Sequence, residues 1–211
     1  MSPATPIITL GAPLIELSIV DSTNMYAISQ VHEQLAVSGS CYRADYQTQG
    51  KGQHGRIWDS EGGKNLLCSY VLELKSLNSS KKWGPNDQKG LSAAVAIGAK
   101  TFFSAYAGDE TLIKLPNDIY WRDRKAGGIL IENTLRGTEW TWAVIGIGFN
   151  VNQTQFNIKG AQPVSLRQIT GKQWDIHLLQ TELSKALNSS IQNWLQEGDL
   201  ETIEKMKPLW K

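Results

Sequence analysis

The sequence lacks the features that assign many proteins to a class directly. Its 211 residues include only 2 cysteines. Cys41 and Cys68 stand in strand-like segments without C-x-x-C spacing, which favours buried free thiols over a disulfide framework. Basic residues number 21 and acidic residues 20, so no overall charge attracts nucleic acid. The apolar segment around Glu16 has no cationic n-region and predicts neither a signal peptide nor a membrane span, so we expect a cytoplasmic protein.

Common catalytic motifs are missing as well. The sequence has no G-x-x-x-x-G-K-[ST] phosphate loop and no G-x-S-x-G nucleophile elbow. Its three histidines, His32, His54 and His177, are scattered without metal-ligand spacing, so we expect no metal held by the protein alone. The stretch G-I-G-F-N-V lacks the third glycine of the dinucleotide fingerprint. These absences exclude the usual phosphate and zinc sites.

The pattern of apolar residues predicts one α+β domain. Hydrophobic residues make up 41% of the chain and charged residues 19%, which is enough for a sizeable core. Helical patterns cover 21–39, 84–107 and about 174–208. Strand patterns cover 15–20, 41–47, 66–74, 111–115, 119–121, 127–135 and 139–151. Strands in the middle with helices on both sides predict a mixed or antiparallel sheet flanked by helices.

One polar segment, residues 48–58, is rich in glycine, and we call it the glycine loop. Its glycines and cations are Gly50, Lys51, Gly52, Gly55 and Arg56. Glycine permits positive φ and close approach, and exposed backbone N–H groups beside two cations suit an anion. The indole of Trp58 suits stacking on a flat ring. A surface loop without function is the alternative interpretation.

Three further clusters stand at turns or glycines near strand ends. They are Lys114 with Pro116, Asn117 and Asp118; Lys125 with Gly127 and Gly128; and Gly146 and Gly148 with Asn150. Taken alone, each cluster has a purely structural explanation: a tight hairpin for the first, a β-bulge for the second, and a strand packed closely on a helix for the third. Together with the glycine loop they place four cations beside turns or glycines, as a triphosphate or an acyl phosphate requires.

Four segments resemble the catalytic domain of biotin protein ligases, in the same order and spacing. They are DSTN at 21–24, the run at 46–66, KLPNDIYWRDRKAGGILIE at 114–132 and GIGFNVN at 146–152. The resemblance is dense over 13–152 and loose to about 205. It implies a class II synthetase-like fold over a single domain, 1–211, without an N-terminal helix-turn-helix or a C-terminal β-barrel domain.

The resemblance also implies the reaction and the molecules involved. Biotin and ATP, with Mg²⁺, would give biotinoyl-5′-AMP, from which the biotinoyl group passes to a lysine of a biotin carboxyl carrier domain. The protein would act as a monomer or homodimer. A lipoate or octanoate ligase or transferase of the same fold is the alternative, and would need a longer apolar tunnel. A non-catalytic biotin-sensing regulator is another, and would need a DNA-reading element.

By the same resemblance, individual residues receive roles. Those expected at biotin are Ser22, Thr23, Asn24, Gln47, Gly50, Lys51, Lys125 and Gly128. Those expected at ATP or the adenylate are Lys51, Gly52, Gln53, Arg56, Trp58, Lys114, Asn117 and Asn150. Lys125 and Lys51 would stabilise charge, and Asp118 would orient or deprotonate the acceptor amine. Many relatives carry arginine at the positions of Lys51 and Gln53, so we expect weaker retention of the intermediate here.

Overall fold

The structure, a computed structural model, describes residues 9–115, 117–156 and 162–209. Seven strands of this part form one sheet in the order β1-β2-β3-β7-β6-β5-β4. Their bounds are β1 Leu14–Val20, β2 Cys41–Gln47, β3 Leu66–Glu73, β4 Thr111–Lys114, β5 Asp118–Trp121, β6 Arg124–Arg136 and β7 Glu139–Phe149. The pair β1 and β2 is parallel and the other neighbours are antiparallel. The predicted mixed sheet is confirmed.

Helices cover both faces of this sheet. Their bounds are α1 Thr23–His32, α2 Leu74–Leu77, α3 Gln88–Ala107, α4 Leu166–Thr170, α5 Ile176–Glu197 and α6 Asp199–Met206. The main core packs against α3 and α5, and a smaller cluster around Ala27 and Val31 packs α1 on β2, β3 and β7. Among the described residues, no helix has both the length and the apolar surface to cross a membrane.

Strand β3 contributes side chains to the hydrophobic clusters on both faces of the sheet. Successive side chains of a strand point to opposite sides, so Cys68 and Tyr70 enter the main core while Ser69 and Val71 face α1. All of Leu66–Leu72 is buried, which explains the nearly continuous apolar sequence. Cys41 and Cys68 are both buried and free, as predicted. Burial raises the pKa of the Cys41 thiol well above its usual value.

The helices differ from the sequence expectations at the end of α1 and at α4. The first helix ends at His32, because Gln34 has a positive φ of 62° and Leu35 and Ala36 both donate to the Gln30 carbonyl oxygen. The predicted C-terminal helical region consists of two helices, α5 and α6, that meet at Gly198, where φ is 88°. Short helix α4 was not predicted, although Ser165 caps it by accepting from the Gln168 N–H. The predicted turn residue Pro116 lies outside the described residues.

Candidate active site

A cavity of about 740 Å³ opens on the α1 side of the sheet. Its walls come from the N-terminus of α1, the glycine loop, the β4–β5 turn and strands β6 and β7. Of the residues expected at biotin or ATP, Gly50 does not line the cavity. Those that do are Ser22, Thr23, Asn24, Gln47, Lys51, Gly52, Gln53, Arg56, Trp58, Lys114, Asn117, Lys125, Gly128 and Asn150, and the predicted catalytic residue Asp118 lines the cavity with them. The fold therefore gathers segments that lie more than a hundred residues apart in the chain.

The closed end of the cavity is a buried, uncharged polar network. Strand β1 ends just before α1 begins, which places Ser22 and Thr23 at the wall. Gln47 Oε1 accepts from the Thr23 backbone N–H at 2.8 Å and from its hydroxyl at 3.0 Å. Ser22 is the N-cap residue, but its side chain makes no capping hydrogen bond, so its hydroxyl is not used by the helix.

Asn24 contributes to this end in a different way from that expected. Its amide nitrogen donates to the Leu130 carbonyl oxygen at 3.2 Å and to Glu132 Oε2 at 2.8 Å. Its oxygen lies 2.5 Å from the Ser69 hydroxyl. A Cβ atom at Gly146 would overlap this oxygen, so the glycine in β7 makes room for Asn24. With both amide hydrogens engaged, Asn24 has no N–H to donate to a ligand.

Two of these residues, Ser69 and Glu132, were not predicted from the sequence. Ser69 is fully buried in β3, and Glu132 is half-buried in β6. Ser69 is a single polar residue within the apolar strand segment LLCSYV, and Glu132 directly follows the apolar run ILI in β6. A polar side chain in a buried strand usually has a hydrogen-bond partner. The polar residue in each segment was therefore the feature of the sequence that could have indicated this network.

An ion pair stands at the middle of the cavity. Lys125 Nζ donates to Asp118 Oδ1 at 2.6 Å, and the two side chains are 25% and 18% exposed. Asp118 pairs with Gly128 across β5 and β6, and the register shifts between Ile119 and Tyr120. The shift brings Lys125 beside Asp118. The Lys125 ammonium therefore contacts a carboxylate of the protein itself.

Three further cations surround the mouth of the cavity. Lys51 and Arg56 are exposed, and neither forms an ion pair with any described residue. Lys114 Nζ lies 4.7 Å from the centre of the Tyr120 ring. Since no acid neutralises Lys51 or Arg56, this rim is an anion-attracting surface.

The glycine loop forms a small hairpin over the cavity. The Trp58 N–H donates to the Gly50 carbonyl oxygen at 2.8 Å, and the Gly52 N–H donates to that of Arg56 at 2.7 Å. A Cβ atom at Gly50 would overlap the Trp58 backbone, whereas Gly55 at the tip has a positive φ of 74°. Gly52 has a φ of −120°, so the expected positive φ is wrong for this glycine.

The indole of Trp58 lies on the floor of the cavity. Cβ atoms at Gly148 and Gly128 would lie 2.7 Å and 3.1 Å from its ring atoms, so these glycines create its seat. Its Nε1 is buried and has no hydrogen-bond partner among the residues that the structure describes. The Lys125 ammonium is 5.8 Å from the ring centre. That Trp58 stacks on a nucleotide base stays a prediction.

The two asparagines expected at the nucleotide serve the backbone here. Asn150 is buried, and its amide nitrogen donates to the carbonyl oxygens of Lys125 and Val164, each at 3.2 Å. With its amide nitrogen engaged, Asn150 has its amide oxygen left to accept from a ligand, so its expected contact with adenine stays a prediction. Asn117 donates to the Ile129 carbonyl oxygen at 2.7 Å and so anchors the β4–β5 turn to β6. No group of three or more metal-ligating side chains occurs within the described residues.

Comparison with known proteins places the chain among ligases of similar fold. The model of the biotin/lipoate A/B protein ligase family matches residues 17–150. The chain is 30% identical to the bifunctional ligase/repressor BirA of Escherichia coli over 89% of this chain and 56% of that protein. It is 26% identical to the biotin–[acetyl-CoA-carboxylase] ligase of Mycobacterium tuberculosis over 82% and 62%, respectively.

A solved structure agrees with these relatives. Biotin protein ligase from Aquifex aeolicus, in complex with biotin and ATP, matches with a TM-score of 0.77 at 26% sequence identity. The match covers 94% of this chain and 78% of that one. The chain spans a little over half the length of the ligase/repressor relatives from Escherichia coli and Salmonella typhimurium.

Proposed function

Because the chain belongs to the biotin/lipoate A/B protein ligase family, we propose that it joins biotin to a lysine of a biotin carboxyl carrier domain at the expense of ATP. The observation that carries the proposal is the composition of one cavity. Its closed end is polar and uncharged, around Thr23 and Gln47, while its rim is cationic. A urea ring with a carboxylate tail, followed by a polyphosphate, has the same order of groups.

The first step needs two anions to meet. A carboxylate oxygen of biotin attacks the α-phosphorus of ATP, the bond to pyrophosphate breaks, and biotinoyl-5′-AMP forms. Lys125 would leave Asp118 to bind the carboxylate and the charge that develops on phosphorus, while Lys51 lies across the cavity in the glycine loop. Arg56 and Lys114 at the rim suit the departing phosphates.

The second step needs a neutral amine. The ε-amine of the carrier lysine attacks the acyl carbon, the bond to AMP breaks, and one proton leaves the new amide nitrogen. Asp118 is the carboxylate beside Lys125 and would orient this amine or accept its proton.

Magnesium would arrive with the phosphates of ATP. Asp59 and Asp118 are the carboxylates at the cavity among the described residues. Such a sparse acidic set fits Mg²⁺ that is held mainly by phosphate oxygens and water, where it would neutralise phosphate charge. The need for ATP and the two free thiols support the expected cytoplasmic location.

The proposal is tested by incubating the protein with biotin, ATP, Mg²⁺ and a biotin carboxyl carrier domain. Intact-mass measurement should show one biotinyl group on the carrier, and none on a carrier whose acceptor lysine is replaced by arginine. A parallel reaction with lipoate tests the alternative. Lipoyl transfer without biotinyl transfer would move the assignment to a lipoate ligase, and no transfer with either acid would overturn it.

A further inference from the structure

We propose that Glu132 is a positioning residue that sets the direction of the hydrogen bonds offered to biotin, although it does not line the cavity. This inference rests on the proposed function and concerns how the closed end selects a urea ring. Glu132 reaches that end through Asn24, Ser69 and Thr23. It stands in β6 behind Asn24, outside the residues that the cavity exposes.

The first link fixes the orientation of an amide. An asparagine side chain can present its oxygen or its NH₂ group to a neighbour, and the two differ by a rotation of half a turn. The Glu132 carboxylate and the Leu130 carbonyl oxygen both only accept, so they hold the Asn24 NH₂ group on the β6 side. The Asn24 oxygen must then face Ser69, where it can only accept.

The second link fixes a hydroxyl proton. Ser69 has one O–H, and its oxygen lies 2.5 Å from Asn24 Oδ1 and 2.8 Å from Thr23 Oγ1. Because Asn24 offers an oxygen, the Ser69 proton goes to Asn24. Ser69 can then only accept from Thr23. A fully buried hydroxyl has no water to supply another arrangement.

The last link is the group that a ligand meets. The Thr23 hydroxyl proton is directed to Ser69 or to Gln47 Oε1, and either choice keeps it inside the protein. Thr23 therefore offers the cavity only lone pairs, which accept an N–H. Gln47 Oε1 already accepts from the Thr23 N–H, so the Gln47 NH₂ group remains to donate. An acceptor beside a donor matches the N–H and the C=O of a cyclic urea.

Glu132 has no other evident partner that would explain its place. Within the described residues it forms no ion pair, and its side chain bonds to the neutral amide of Asn24. Without it, only the Leu130 carbonyl oxygen would oppose a turn of the Asn24 NH₂ group toward Ser69. Ser69 would then donate to Thr23, which leaves the Thr23 hydroxyl proton to Gln47 Oε1 or to a ligand in the cavity.

The test is biotin binding by calorimetry in Glu132→Ala, Glu132→Gln and a control, Glu139→Ala, which removes an exposed carboxylate from the same hairpin. We expect Glu132→Ala to weaken binding about tenfold, the value of roughly one hydrogen bond. Glu132→Gln should retain most of the affinity, because its amide oxygen accepts the same bond. Glu139→Ala should bind as the wild type does.

A selectivity measurement separates positioning from a merely structural role. The probes are a cyclic carbamate analogue, with oxygen in place of one ureido N–H, and an analogue with oxygen in place of the ring sulfur. The wild type should reject the carbamate, and Glu132→Ala should reject it severalfold less because Thr23 can then donate. The ratio of the affinity for the sulfur-replaced analogue to the affinity for biotin should be the same in Glu132→Ala and in the wild type. Ser69→Ala should reproduce the loss, and the double variant should be no worse than either single one.

The outcomes are distinguishable. Unaltered affinity and carbamate selectivity in Glu132→Ala would overturn the inference while leaving the ligase assignment intact. If Glu132→Ala does not fold, Ser69→Ala decides, and unchanged selectivity in that variant has the same consequence. A wild type that binds neither biotin nor its analogues would instead overturn the proposed function.

Discussion

Among single residues, Lys125 and Asp118 depend most on each other. In their ion pair, Lys125 Nζ lies 2.6 Å from Asp118 Oδ1. A substrate anion can take the place of this carboxylate as the partner of the ammonium. Both side chains are largely buried yet line the cavity, so a substrate anion can reach the ammonium there. In the proposed reaction, this exchange would link the contacts of Asp118 to the presence of the adenylate.

Lys125→Ala should slow adenylate formation by about 10² to 10³-fold, the usual effect of removing one preorganised donor to developing charge. Folding should be nearly unchanged, because the side chain contributes little packing. The measurement is the rate of pyrophosphate release with biotin and ATP. Lys172→Ala, an exposed lysine in the loop between α4 and α5, is the control. A Lys125→Ala rate equal to that of the control would contradict the role.

Asp118→Asn should affect the second step more than the first. Asparagine can still accept from Lys125 but cannot take a proton, so transfer from preformed biotinoyl-AMP to the carrier should fall by about 10²-fold or more. Pyrophosphate release should fall less. Single-turnover kinetics of each step makes the comparison. Equal slowing of both steps would assign Asp118 to placing Lys125 alone.

Gln53→Arg should lengthen the lifetime of the bound adenylate. Gln53 begins the tip turn of the glycine loop and lines the cavity, and arginine would add a charge-assisted hydrogen bond to phosphate. We expect roughly a tenfold slower release of biotinoyl-AMP and less modification of bystander lysines. Release from wild type, Gln53→Arg and Gln53→Met is compared by filtration. Equally fast release from Gln53→Arg would show that this side chain does not face the phosphate.

Among the elements, the glycine loop has the least support from the rest of the fold. Its base is tied by the bond between Trp58 and Gly50, but Ile57 is 81% exposed and His54 has a φ of 56° at the tip. Segments with few buried contacts open most easily. The loop is therefore suited to closing over a hydrolysable intermediate and excluding water.

Proteolysis at Lys51 and Arg56 should report this closure. Both are exposed trypsin sites in the free protein. Biotin and ATP together should suppress cleavage there more than ATP alone, because the adenylate supplies the anion that the cations lack. Cleavage at Lys172, outside the cavity, serves as the internal reference. Equal rates at Lys51 and Arg56 with and without both ligands would contradict closure.

At the scale of the whole molecule, one core ties the sheet to the long helices. Aromatic contacts run across it, including the stacked rings of Phe103 and Phe149 at 5.2 Å. The same core holds Cys41 and Cys68 on neighbouring strands. Reagents should reach these thiols only when the sheet separates from α3 and α5.

The two thiols should therefore react together and only on global unfolding. In a urea titration, labelling of Cys41 and Cys68 should follow the same transition as circular dichroism. Burial raises the pKa of the Cys41 thiol in the folded protein, so this thiol loses its proton at a lower pH in the unfolded chain. Stability should thus fall as pH rises through the ordinary thiol value of about 8.5. In Cys41→Ala, the loss of stability at alkaline pH should be smaller. Labelling of either thiol before the protein unfolds would contradict the burial of Cys41 and Cys68.

Local sequence was sufficient for much of this protein. The pattern of apolar residues predicted the strands of the sheet. The glycines and cations of residues 48–58 predicted the loop above the cavity. The ordered motifs predicted the family, since each motif is a continuous stretch whose chemistry does not depend on distant partners. Local pattern failed for the end of α1, because the backbone turns at Gln34 although apolar residues continue to Leu35.

Tertiary structure decided which polar groups meet. Asn24 contacts Ser69 and Glu132, which lie 45 and 108 residues away, and only the pairing of β3, β7 and β6 sets those distances. The β5–β6 register shift likewise brings Lys125 to Asp118. Sheet register arises from packing across the whole core, and one residue of slip would turn each of these side chains to the opposite face.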